Sequence, residues 1–265
     1  MPPQTGSSLL RPTRISFGWL SRASRQAFSS KIGDMHLQIG MLLFPQLTQL
    51  DLTGPFEVLS RLSETRVLLL WKSLETVTSD TGMSILPTST FSECPQLDVV
   101  FVPGGPGQVA LMEDDEVLGF LRDQAREAMY VTSVCTGSLI LAAAGLLNGR
   151  RAACHWMFRD LLSEFDVDVS EERYVVDGNR VTGAGVTSGI DFGLKLAAML
   201  RSETEAKQIQ LQIEYNPAPP FDAGTPQLAG EEIEHAVRQR AARLQEVRRA
   251  TVERVKSRLP LRLKA

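Results

Sequence analysis

Three short stretches of this 265-residue chain hold residue types that could do covalent chemistry together. The first is Tyr130-Val131-Thr132-Ser133-Val134-Cys135-Thr136-Gly137-Ser138, where a β-branched run ends on a cysteine and small residues follow. The apolar run at 139–144, closed by Gly145, then has the pattern of a helix with a glycine at its C-terminal end. A cysteine at such a strand-to-helix turn meets free N–H groups and the positive end of the helix dipole. Both favour the thiolate and lower its pKa. Cys135 is therefore a candidate nucleophile; the competing reading is a small buried hydrophobe, which free cysteine commonly is. A nucleophile needs an acid or base partner and donors for developing negative charge. Asp51, in Leu50-Asp51-Leu52-Thr53-Gly54-Pro55, could supply the first, although an aspartate before an apolar-periodic segment is also a common helix cap. The N–H groups of Gly105 and Thr136 could supply the second.

The elements that must position these residues alternate in type. Residues 37–44, 66–71, 98–102 and 130–134 are apolar enough for strands inside a parallel sheet. Helical spacing follows the first of them at Phe56, Val58, Leu59 and Leu62, and a second helix is expected at about 114–128. Residues 76–86 suggest a hairpin around Asp80-Thr81-Gly82, and Asp177-Gly178-Asn179 marks a stronger one. A short strand at 151–156 and a buried helix from Ile190 to Leu200 complete the pattern. The expected fold is α/β, a largely parallel sheet flanked by helices. Active sites in such folds gather beyond the carboxyl ends of the strands, where Asp51, Gly104-Gly105 and Cys135 all fall. The loop Pro103-Gly104-Gly105-Pro106-Gly107 is not a phosphate loop, because the lysine and hydroxyl of that motif are missing. Residues 215–221 read as an extended proline-rich arm. Residues 231–258 read as a helix with Ile233, Val237, Ala241, Leu244, Val247 and Val255 on its apolar side and its basic residues on a solvated face.

Composition narrows the class. The net charge of −3 divides into +4 over residues 1–34, −12 over the middle and +5 over 231–265, so the acidic body argues against a nucleic-acid groove. Cys94, Cys135 and Cys154 show no metal-ligand spacing, which suits reduced thiols in a cytoplasmic protein. No segment is apolar for long enough to span a bilayer. Residues 1–34 are rich in serine and carry Arg11, Arg14, Arg22 and Arg25, the composition of a transit peptide or of an extension from an upstream start. The expected organisation is this extension, a catalytic domain over 35–205, and the arm and helix over 206–265.

The ordered set of motifs resembles the ThiJ/PfpI superfamily of the class I glutamine-amidotransferase-like fold, and within it the isonitrile (isocyanide) hydratase family. The stretches that carry the resemblance are 50–55, Val102-Pro103-Gly104-Gly105, 131–138, His155-Trp156, Gly189-Ile190-Asp191-Phe192 and the arm 212–221. The resemblance implies Cys135 as nucleophile on a strained elbow and Asp51 as its carboxyl partner. It also implies that Thr136 and the Gly104-Gly105 loop bind the reacting group. His155 is placed either lining the cysteine pocket or as a hydrogen-bonded core histidine; Trp156 is read as packing, and Val186 and Ala184 as shaping the pocket. Thr136 stands where many superfamily peptidases have a histidine, and Ala184 where near relatives often have a glycine. The implied reaction turns an isocyanide into an N-formamide through a cysteine thioimidate, with no metal or organic cofactor. A homodimer is implied, with the arm and last helix covering the partner. The alternatives are a cysteine redox sensor or chaperone, and the sensory domain of a regulator. The second lacks its paired helix-turn-helix units, for which the 35 residues after Gly230 are too few.

Overall fold

Near-continuous apolar runs become the strands of a mostly parallel sheet, buried on both faces at its centre and only in part towards its edge. In the computed structural model, which describes residues 36–258, these runs are β1 (Leu37–Leu42), β2 (Thr65–Trp71), β6 (Val99–Val102) and β7 (Tyr130–Val134). The segment 1–34, expected to stand apart from the fold, lies outside the described residues. Between these strands the chain forms α1 (Gln49–Leu59), the hairpin β3 (Val77–Thr78) and β4 (Ser84–Ile85), edge strand β5 (Ser89–Thr90), and helices α2 (Gln108–Leu111) and α3 (Asp115–Ala125). After β7 come α4 (Gly137–Ala143), β8 (Arg151–Ala153), a 3₁₀ turn (Trp156–Phe158), α5 (Arg159–Ser163) and β9 (Asp168–Ser170). The chain ends with β10 (Tyr174–Asp177), β11 (Arg180–Gly183), α6 (Ser188–Leu200), α7 (Glu203–Gln212), α8 (Pro226–Ala229) and α9 (Glu231–Arg258).

The seven-stranded sheet has the order β10-β11-β7-β6-β1-β2-β5 and is parallel except for the β10–β11 hairpin. β1, β6, β7 and β11 are consecutive neighbours, so the loops after them meet at one edge. Helix α1 packs on α6, and α4 packs on β7, β6, α3 and α5, so helices flank the sheet as expected.

Three elements differ from expectation. The strand at 151–156 stops at Ala153, because β8 pairs with β9 in a separate two-stranded sheet and the chain then turns into the 3₁₀ segment. Helix α7, capped by the Ser202 hydroxyl on the Glu205 N–H, occupies residues that the sequence reading left without an element and runs across position 205/206. In α9 the apolar residues at the N-terminal end are exposed, Ile233 by 53 %. The buried stripe is instead Arg248, Thr251, Val252 and Val255, so the basic face is not wholly solvated.

Candidate active site

The loops after β1, β6, β7 and β11 bring Asp51, Gly104-Gly105, Cys135-Thr136 and Ala184 together. Cys135 has φ of 59°, the left-handed region that a side chain occupies only under strain. The strain is held by β11, since the Cys135 N–H lies 3.2 Å from the Gly183 carbonyl oxygen and 2.8 Å from that of Ala184. Helix α4 then begins at Gly137, where an added Cβ would sit 2.2 Å from the Val102 carbonyl oxygen. Only glycine lets the helix start this close to β6.

Asp51 sits in the first turn of α1 and is fully buried. It does not cap its own helix; its Oδ2 accepts the Gly104 N–H at 3.1 Å. The next N–H, that of Gly105, donates to Thr136 Oγ1 at 3.0 Å. The Gly105 N–H expected to face a developing anion is thus engaged with Thr136. One glycine orients the carboxyl group and the other orients the residue after the cysteine. A Cβ on Gly104 would lie 2.6 Å from the Thr136 nitrogen and 2.8 Å from Asp51 Oδ2. Gly104→Ala is therefore expected to cost about 1–3 kcal/mol in a urea melt, through overpacking against backbone.

The electrostatics reverse one expectation. Burial pushes the Asp51 carboxyl up to about 7, restrained by the Cys135 thiol and the Gly104 N–H. Burial also pushes the Cys135 thiol well above its ordinary range; Asp51 and Cys154 add to this, and the Thr136 N–H opposes it. The lowered thiol pKa expected from the helix dipole is not found. Cys135 is only 5 % exposed and α4 is wholly buried, so loss of water outweighs the N–H groups at the turn. Asp51 Oδ1 is buried with no aligned hydrogen-bond donor or acceptor of ordinary geometry, although the thiol is close enough to shift the carboxyl. The two groups titrate as a pair.

Behind the pair, Ser138 Oγ donates to the Ala153 carbonyl oxygen at 2.7 Å and the Ala153 N–H donates to Thr182 Oγ1 at 2.8 Å. These bonds carry Cys154 and His155 to the site. His155 is hydrogen-bonded within the fold and borders a cavity that Cys135 does not line. Its Nδ1 accepts the Met157 N–H at 3.2 Å, and its ring borders a cavity of about 520 Å³ that Ala184, Val186 and Trp156 also line. Burial, with Arg248 and Arg159 nearby, lowers its pKa to about 4, so the ring is neutral at physiological pH with its proton on Nε2. Trp156, read as packing, faces the cavity and is stacked by Arg238 at 4.6 Å. Cys135 does not itself line the cavity; Ala184 connects the two through its bond to the cysteine N–H.

Sequence reasoning missed Gln108 and Arg248. Arg248 is 3 % exposed, its Nε donates to Gln108 Oε1 at 2.8 Å and its Nη2 donates to the Gly105 carbonyl oxygen at 3.3 Å. The signal was the helical register itself: Arg248 shares the i, i+4, i+7 stripe of Val252 and Val255, where an arginine is out of place unless it has a task.

A strand-to-helix elbow bearing a cysteine, set at the carboxyl edge of a mostly parallel sheet, places the molecule among amidotransferase-like α/β proteins. The chain belongs to the DJ-1/PfpI family, whose description fits residues 38–199. It is 53 % identical to the isonitrile hydratase of Pseudomonas putida, over 86 % of this chain and all of that protein. It is also 33 % identical to the HTH-type transcriptional regulator GbdR of Pseudomonas aeruginosa, over 60 % of this chain but only 45 % of the regulator. Among solved structures, a ThiJ/PfpI family protein from Pseudomonas syringae superposes with a TM-score of 0.80 at 42 % identity, covering 91 % of this chain and 97 % of that one. Drosophila melanogaster DJ-1beta, at 22 % identity and a TM-score of 0.65 over 69 % of this chain and all of that one, shares the fold.

Proposed function

We propose that this protein is an isonitrile hydratase-like enzyme that adds water to isocyanides and releases N-formamides, with Cys135 as nucleophile. The observation that carries the reading is the buried Asp51–Cys135 pair, together with the extent of identity to the Pseudomonas putida enzyme. In its working form the pair holds one proton. Cys135 Sγ attacks the terminal carbon of R–N≡C, and the shared proton passes through Asp51 to that same carbon, giving the thioimidate R–N=CH–S–Cys135. Water adds to the C=N carbon with Asp51 relaying its proton, and collapse expels the thiol and leaves R–NH–CHO. The Gly104-Gly105 loop orients Asp51 and Thr136 at the reacting centre, while His155 and Val186 shape the approach. Neither step needs a metal or organic cofactor.

Incubating the protein with an aromatic isocyanide and following the formyl proton by NMR tests this. Formamide is expected in many turnovers per protein; none with either aromatic or aliphatic isocyanides overturns the reading. The pair also sets a pH profile. Below about 7 the Asp51 carboxylate is protonated, the pair holds two protons and no base remains for the thiol, so kcat/KM should rise as pH passes upward through about 7. A redox sensor needs an accessible thiol of low pKa, and Cys135 is buried with its thiol pushed up. The exposed Phe221, Leu228 and Ile233 on the arm, α8 and α9 are the surface we assign to a homodimer contact. Among the described residues no helix is long and apolar enough to cross a membrane, and the three free thiols suit a cytoplasmic setting.

A further inference from the structure

Arg248 enters the site from the far end of the chain. A buried guanidinium is costly unless it is paired and fully bonded. Among the described residues no carboxylate pairs with it. Its partners are Gln108 Oε1, the Gly105 carbonyl oxygen and the face of the Phe158 ring, 4.0 Å from its Cζ. All three are neutral, and the charged forms of Cys135 and Cys154 are what its charge would meet. The geometry also links it to the reacting groups in two short steps. Arg248 holds the carbonyl of Gly105, the Gly105 N–H holds Thr136 Oγ1, and the Gly104 N–H holds Asp51 Oδ2. We propose that Arg248 is a positioning residue of the cysteine site. Its fork clamps the Gly104-Gly105 loop that orients Asp51 and Thr136, and its charge is the buried counter-cation of the Cys135 thiolate.

The proposal deepens the reading of the site as a cysteine-nucleophile enzyme and is tested in part without the isocyanide. Alkylation of Cys135 by iodoacetamide at pH 8, read at the peptide level by mass spectrometry, reports thiolate directly. Loss of packing alone would expose Cys135 and speed alkylation, whereas loss of the cation slows it. In Arg248→Met, alkylation should fall about tenfold, with kcat reduced more than KM is raised. Arg248→Lys restores charge without the fork, so alkylation should return to within about threefold of wild type while kcat stays low. Alkylation unchanged or faster in an Arg248→Met protein that still melts cooperatively overturns the proposal. If Arg248→Met does not melt cooperatively, Arg248→Lys decides: wild-type kcat, or alkylation slowed about tenfold, overturns it. A wild-type protein without isocyanide turnover whose Cys135 still depends on Arg248 for alkylation would separate failure of the functional reading from failure of this one.

Discussion

Cys135→Ala should abolish formamide formation, lowering kcat by about 10⁴-fold or more while leaving the fold intact. Removal of a covalent nucleophile typically costs this much or more, because the remaining groups can still bind and polarise the substrate but cannot form the intermediate. The substitution removes one sulfur from a packed site and keeps the strained backbone, since alanine meets the same difficulty at φ of 59°. Circular dichroism and a urea midpoint close to wild type would show that the loss is chemical. Residual turnover within about tenfold of wild type would mean that water attacks directly and that the thioimidate is not on the path.

Asp51→Asn should couple a loss of activity to a gain in stability. Activity should drop about 10²–10³-fold, the usual contribution of a positioned acid or base. Stability follows from the raised pKa. The unfolded carboxyl titrates near 3.8 and the folded one at about 7. The native state therefore binds the proton more tightly, and the stability this brings is fully present below about pH 4 and lost as pH rises through 7. The difference corresponds to about 4 kcal/mol at most. Asparagine keeps an oxygen for the Gly104 N–H and cannot ionise. Urea melts at pH 4.5 and pH 8.5 should show the variant gaining on wild type by roughly 2–4 kcal/mol between the two conditions. Parallel behaviour across that range would show that Asp51 ionises freely in the folded protein.

The site was legible in proportion to how far each interaction is local in the chain. The elbow at Cys135 shows in a β-branched run followed by small residues, and Asp51 and the glycine loop show because each follows an apolar strand. The largely parallel character of the sheet was legible because its strands are near-continuously apolar, whereas the strand order is set by contacts between segments far apart in the chain. The rise in the Cys135 pKa was not legible, because the helix dipole is written in the sequence while the depth of burial is decided by α4 being wholly packed. Arg248 was not legible for a related reason. Its helix is strongly basic, and composition alone assigns such residues to water; only the register with Val252 and Val255 separates the one that turns inward. Helix α7 escaped notice because its sequence is mostly polar and its single buried contacts, Ala206 and Ile209, are too few to set up a period.

The bond between Arg248 and Gly105 spans 143 positions of the chain. Closing so long a loop is entropically expensive and comes late relative to the pairing of β1 with β6 and of β6 with β7, whose partners such as Ile39–Val99 and Val99–Tyr130 lie much closer in the chain. During synthesis, the sheet and its thiol–carboxyl pair can assemble while α9 is still inside the ribosome. A nascent chain would thus hold both reacting groups with the loop between them slack. Competence would arrive only when α9 docks, tying the onset of activity to synthesis of that helix.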